Sequence, residues 1–239
     1  MFEIFAKSLT GFREKNDDRA LVGKSVINTE DDFYTKMIPP FTVAVFDGVG
    51  GCAHGDIAAE IAANTFAESE PGSEADIGKA VICAQYRILA KQSEGQAYSG
   101  MSTTVTGLVM KADRAIMFNT GDSSVLLYRA PYLSRLNAEH TVASINKALH
   151  LPVTLSDENT LTRSLGSRYY EPDIREFKFL SDDIYIICSD GIAKYISDTE
   201  IENALHDAPL QDIGRKLICK ALNNGSKDNL TLIIIRRTK

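Results

Sequence analysis

What this 239-residue sequence lacks narrows its function before any motif is considered. No apolar stretch approaches the roughly 18–20 residues of a membrane span, so no membrane partner is expected. A basic face for nucleic acid is missing too. Lys and Arg number 26 against 32 Asp and Glu, giving a net charge of −6, which argues against a nucleic-acid partner. The four cysteines, Cys52, Cys83, Cys188 and Cys219, form no CxxC pair. None is followed by five residues and an arginine, which excludes a cysteine-phosphatase loop. Cys83, Cys188 and Cys219 lie in apolar periodic segments and are expected to be small buried hydrophobes of a reducing compartment. Met1 to Ser8 carry neither a charged n-region nor a long apolar h-region, so no signal peptide is expected. These absences lead to the expectation of a cytoplasmic, monomeric protein.

What is present fits an ordinary globular chain, with 44% apolar and 24% charged residues. The length suits one large unit, 1–239, with a sizeable core. Strands are predicted at 2–8, 19–27 and 41–46, the last too apolar to face water on either side. A helix carrying Ile57, Ile61 and Thr65 follows a glycine-rich turn, and a second carries Ile77, Val81, Ala84 and Ile88 after a start signal at Pro71 to Ser73. Residues 101–110, 114–120 and 125–129 are β-rich runs with connections too short for a parallel crossover, so an antiparallel meander is predicted. Residues 138–162 are expected to form an irregular, partly helical surface segment. Strands at 173–179 and 183–189, helices near 199–206 and 210–222, and a last strand at 230–236 complete the pattern. Grouped antiparallel strands with separate helix pairs predict an α+β sandwich of two mainly antiparallel sheets flanked by helices.

Four aspartates punctuate these runs. Asp47 follows the apolar run Phe41 to Phe46, Asp190 follows Ile184 to Ser189, Asp228 precedes Leu230 to Arg236, and Asp122 sits in the predicted hairpin. A carboxylate at the end of a buried strand is costly unless it is paired or bound to a cation. Glycines beside them, such as Gly48, let a main-chain carbonyl approach a ligand. An oxygen-only donor set, without histidine or thiolate, selects Mg²⁺ or Mn²⁺ over zinc. Two such ions would activate a water and clamp a phosphoryl group. Arg13, beside Asp17 and Asp18, offers a planar fork that matches phosphate oxygens.

The motifs run in order along nearly the whole chain: Arg13 with Asn16-Asp17-Asp18, Asp47 to Gly51, Gly100 to Val105, Gly121-Asp122-Ser123, Thr162 to Gly166, Ser189-Asp190-Gly191 and Asp228-Asn229. In this the chain resembles the metal-dependent Ser/Thr protein phosphatases of the PPM class (type 2C), above all their compact bacterial members. The resemblance implies a single catalytic domain that hydrolyses phosphoserine and phosphothreonine in phosphoproteins, reversing a cognate Ser/Thr kinase. It implies that Asp47, the Gly48 carbonyl, Asp190 and Asp228 hold two core Mg²⁺ or Mn²⁺ ions, with Asp17 gripping a water of that centre. Arg13 would receive the substrate phosphate, and Asp122 with Asp190 would hold a third ion.

The chain departs from the family pattern at three places. Ser124 stands where the family has arginine after Gly-Asp-Ser; Cys52 stands where bacterial members carry histidine; Val49 stands where eukaryotic members have a histidine that could serve as general acid. The general acid is therefore unassigned. His54 is expected at a helix start or on the surface, Cys52 as a filler, and Arg163 and Arg168 as structural charges; His140, His150 and His206 carry no functional expectation. Two rival readings remain open. Residues 48–53 fit G-x-G-x-x-A between a strand and a helix, as in a dinucleotide-binding oxidoreductase, although no alternating βα units follow. A non-catalytic binding module on the phosphatase fold would require a lost ligand, and none of the four core positions is lost.

Overall fold

The computed structural model describes residues 1–49, 54–205 and 208–238. Among these residues, twelve strands pair antiparallel in two six-stranded sheets. The first sheet has the order β4 (Phe33–Met37), β1 (Phe2–Leu9), β12 (Leu230–Arg237), β11 (Ile184–Cys188), β8 (Ser124–Arg129), β9 (Tyr132–Arg135). The second runs β10 (Asp173–Lys178), β7 (Arg114–Thr120), β6 (Val105–Met110), β5 (Phe41–Asp47), β2 (Asp18–Val22), β3 (Ser25–Ile27). Helices α1 (Gly55–Ser69) and α2 (Glu74–Gln92) cover the outer face of the second sheet. The outer face of the first sheet is covered by α5 (Asp190–Ala193), α6 (Asp198–Ala204) and α7 (Leu210–Asn223). The predicted α+β sandwich is therefore the architecture.

Side-chain alternation explains why the central strands are apolar without a break. In β5, Val43 and Val45 enter the core between the sheets, while Ala44 and Phe46 face α1 and α2. In β12, Ile233 and Ile235 point between the sheets, and Leu232 and Ile234 point toward the α5–α7 layer. Both faces of each strand are buried, so both must be apolar. On α1 the buried stripe is Ala58, Ala59, Ala62, Ala63 and Phe66, small residues that let the helix lie close to the sheet.

Several expectations are corrected. The predicted strand 19–27 is two strands, β2 and β3, joined by a tight turn at Gly23. Edge strands β4 and β9 do not stand out by pattern, being five and four residues long with none fully buried. The run 101–110 becomes a strand only from Val105; before it, Thr103 bridges both Gly48 and Leu165. The segment 138–162 holds two short helices, α3 (Val142–Ala148) and α4 (Leu155–Glu158), as expected. Cys188 is buried, but Cys83 and Cys219 are exposed, because each falls on the outward side of its helix, next to the exposed Ile82 and Lys220 respectively. The dinucleotide alternative loses its scaffold: all strand pairs among the described residues are antiparallel, whereas that fold needs a parallel βαβ unit. Residues 50–53 of its motif, including Cys52, lie outside the described residues, as does His206. No described helix is long and apolar enough to cross a membrane.

Candidate metal centre

The aspartates singled out in the sequence meet in one cleft of about 460 Å³, lined by Arg13, Asp17, Asp47, Gly48, Asp122 and Asp190, with Lys194, Asp228 and Asn229. Asp47 is the last residue of β5 and lies opposite Asp18 in the β2–β5 register. Asp190 opens α5 one residue beyond β11; Asp228 stands two residues before β12; Asp122 occupies the turn between β7 and β8. Five carboxylates so reach the cleft from both sheets.

Each of these strand ends is fixed by backbone and hydroxyl contacts. The Asp47 amide donates to Thr104 Oγ1 at 3.1 Å, and its carbonyl accepts from the Thr104 amide at 2.8 Å and from Thr103 Oγ1 at 3.0 Å. Asn229 stitches the Arg13 loop to β12: its Nδ2 donates to the carbonyls of Thr10 and Lys15, and its Oδ1 accepts from the Asp17 amide at 2.9 Å. Thr231 donates its amide to Ser189 Oγ at 3.1 Å, which sets the residue before Asp190. Gly48 is required by close approach, since a Cβ there would lie 2.5 Å from the Gly55 backbone and 2.6 Å from the Asp17 carbonyl. Gly191 is equally confined, because a Cβ would collide with the Asn229 carbonyl.

The carboxylates do not form a finished cage. Among the described residues, no group of three His, Cys, Asp or Glu side chains is arranged to hold an ion as the side chains lie. Two of the carboxylates are turned instead onto cations of the chain: Arg13 forks onto Asp228, and Lys194 Nζ lies 2.8 Å from Asp190 Oδ2. The remaining groups nonetheless have the character of a cation site. Among the described residues, Asp18 Oδ2 is a buried oxygen without a hydrogen-bond partner, and Asp17 Oδ1 meets only the Lys15 ammonium, at 3.4 Å. Burial, then repulsion from Asp190 and Asp228, pushes Asp18 up to about 7 against the opposing pull of the Thr231 and Ser189 hydroxyls. Burial, then Asp190, pushes Asp122 up to about 7, while Lys194 pulls it back. Asp47 is raised well above the usual carboxylate range by burial and by Asp18, Asp190, Asp122 and Asp228. Mutually repelling buried carboxylates, one with an orphaned oxygen, beside a bare glycine backbone, fit a hard divalent ion and no apolar ligand.

Sequence reasoning missed Asp18, which adjoins Asp17 but lies deeper, 2% exposed. The available signal was its facing Asp47 once β2 and β5 pair. It also missed His140. This buried ring accepts the Gly121 amide on Nδ1 at 3.1 Å and contacts Asp173 Oδ2 through Nε2 at 3.1 Å, which braces the turn that carries Asp122. His54 precedes α1 without a side-chain capping bond and packs on Tyr98, in line with its expected place at a helix start. Arg163 pairs with Asp173 at 2.8 Å, a structural contact as expected. Ser124, where the arginine is lost, is fully buried and its hydroxyl has no partner.

A family model for protein phosphatase 2C matches residues 27–231. The serine/threonine protein phosphatase PstP of Mycobacterium tuberculosis is 28% identical over 236 residues, covering 91% of this chain and 43% of its own length. The chain thus spans less than half of that relative. The protein phosphatase PhpP of Streptococcus pneumoniae is 28% identical over 232 residues, 90% of this chain and 94% of its own. Among solved structures, Stp1 from Staphylococcus aureus superposes with a TM-score of 0.87 at 21% identity, over 100% of this chain and 96% of that one. The catalytic domain of PstP in complex with two manganese ions gives 0.82 at 24% identity, over 99% of both.

Proposed function

Because the chain belongs to the protein phosphatase 2C family, we propose that it is a metal-dependent phosphatase of phosphoserine and phosphothreonine, with 1–239 as its catalytic domain. The observation that carries this is the convergence of Asp17, Asp47, Asp122, Asp190 and Asp228 on one cleft that also presents the Arg13 guanidinium. Asp47, the Gly48 carbonyl, Asp190 and Asp228 would hold two Mg²⁺ or Mn²⁺ ions, and Asp17 and the deeper Asp18 would orient water beside them. When bound, such ions activate a water and neutralise phosphoryl oxygens.

The chain's own side chains do the rest. Arg13 stands at the mouth with its side chain half exposed, and its planar fork now rests on Asp228. A phosphate monoester offers the same two-oxygen edge as that carboxylate, so Arg13 can transfer from one to the other and orient the ester. Asn229 and Thr104 keep Asp17 and Asp47 from shifting as the charge in the cleft changes. The manganese-bound structure of PstP and the names of PstP and PhpP support this reading. Phosphoproteins are the proposed substrates, and an opposing Ser/Thr kinase the proposed partner.

Hydrolysis of para-nitrophenyl phosphate and of a phosphothreonine peptide tests it. Turnover should vanish in excess EDTA and return with Mn²⁺ or Mg²⁺. Full activity in EDTA would refute the metal centre.

A further inference from the structure

The family resemblance predicts a third, peripheral ion between Asp122 and Asp190, but a side chain of the protein already stands there. Lys194 follows Asp190 by four residues, so both side chains project from the same side of the α5 turn. Its Nζ lies 2.8 Å from Asp190 Oδ2, 3.0 Å from Asn159 Oδ1 and 3.8 Å from Asp122 Oδ2. Three oxygens from three separate segments face one ammonium: the start of α5, the β7–β8 turn, and the residue that follows α4. A solvated i,i+4 ion pair would need only the first of these contacts. The other two are what distinguishes Lys194 from a surface lysine, because neither lies near it in sequence.

We propose that the Lys194 ammonium is the built-in third cation of this centre, filling the peripheral site so that the chain takes up two divalent ions and not three. The proposal rests on the two-ion reading above and adds to it the stoichiometry of the site. The ammonium donates to Asp190 and Asn159, and its charge, 3.8 Å from Asp122 Oδ2, offsets one charge of the Asp122–Asp190 pair. A divalent ion entering between the same oxygens would have to displace it, or lie within a few ångströms of a like charge. The contact to Asn159 has a second consequence. It ties the segment that carries α3 and α4 to the cleft through the chain's own cation.

The test counts ions. The 239-residue chain is stripped with EDTA and dialysed against Mn²⁺ alone at millimolar concentration; bound metal is then measured by mass spectrometry and free Mn²⁺ by electron paramagnetic resonance. Wild type should hold two ions per chain, and Asp122→Asn should still hold two. Lys194→Met keeps the length and loses the charge, so it should gain a third, weaker ion, as should Lys194→Gln. Adding Asp122→Asn to either should remove that ion again. Three ions in wild type would overturn the proposal whatever the variants do, and so would two ions in both folded Lys194 variants. No bound ion in wild type would instead strike the metal centre itself, and the proposal with it.

Discussion

Arg13 and Asp228 face each other as a two-pronged ion pair, Nε to Oδ1 and Nη2 to Oδ2, both at 2.9 Å. They lie 215 residues apart in sequence, and the pair closes one side of the cleft. A guanidinium already shaped to two oxygens is pre-organised for a phosphate edge. A divalent ion held by Asp228 would free it for that role.

Arg13→Ala should therefore weaken substrate handling and leave Mn²⁺ affinity close to wild type. A charge-assisted two-pronged contact is worth about 1.5–3 kcal/mol, which corresponds to roughly 10- to 150-fold in kcat/KM. Arg13→Lys should recover only part, since an ammonium lacks the planar fork. Steady-state rates on a phosphothreonine peptide check this, and a loss within twofold for Arg13→Ala would place the residue outside the site.

Asp190 and Asp122 both line the cleft, but they differ in what depends on them. Asp190 opens α5 and lines the cleft with Asp47 and Asp228, so Asp190→Asn should lower kcat by at least ~10²-fold, the scale of a principal electrostatic contribution. Asp122 is buried in the β7–β8 turn, and its nearest cation is Lys194 at 3.8 Å, so Asp122→Asn should cost distinctly less at saturating Mn²⁺. Equal loss of activity in the two variants, with neither binding metal, would erase the division between core and periphery.

The parts visible from the residues were those in which one local pattern carries the information. The apolar runs of β5, β11 and β12 marked buried strands, and the aspartates at their ends marked where those strands stop. What escaped depends on pairing. Asp18 matters because β2 lays it against Asp47, and the single predicted strand 19–27 hid the turn at Gly23 that limits β2. Lys194 and Asn159 are 35 residues apart and share no motif, so their contact exists only once α4 folds over the cleft. Cys83 and Cys219 sit in apolar segments, but the facing angle of each on its helix, which their neighbours in sequence do not reveal, turns both outward.

Away from the cleft, Asp183 should set the acid limit of stability. It is buried; Arg129 forks onto it at 2.8 Å on each arm, the Leu180 amide donates to it at 2.8 Å, and the Tyr185 hydroxyl donates at 3.1 Å. Burial works against its charge, but these donors prevail and hold its carboxyl below the usual range. A depressed folded-state value means stability that is fully present above the unfolded-state value near ~4 and is lost as pH falls through the folded one. Asp183→Ala should cost about 2–3 kcal/mol at pH 7, less than for a fully buried pair because Arg129 is half exposed. The gap between variant and wild-type melting temperatures should narrow below about pH 4. A gap that does not change with pH would mean that packing, and not the charge, is what Asp183 contributes.

Asp18 should show the opposite balance, because its charge has no cation in the metal-free chain. The carboxyl is 2% exposed, one oxygen is unpartnered, and Asp47, Asp190 and Asp228 repel it. Asp18→Asn keeps the shape and removes the charge, so the EDTA-treated variant should be more stable than EDTA-treated wild type. An unsatisfied buried polar group costs about 1–3 kcal/mol, and at this chain length each kcal/mol moves Tm by roughly 2–4 °C, so a rise of several degrees is expected. The same substitution should weaken Mn²⁺ binding, and saturating Mn²⁺ should raise the wild-type Tm more than that of the variant. Function and fold would then compete at one residue, as they do where a site is built ready for a ligand. Thermal melts of both proteins with EDTA and with Mn²⁺ decide it: an Asp18→Asn protein less stable than wild type in EDTA would show that Asp18 is a structural carboxylate already satisfied by its neighbours.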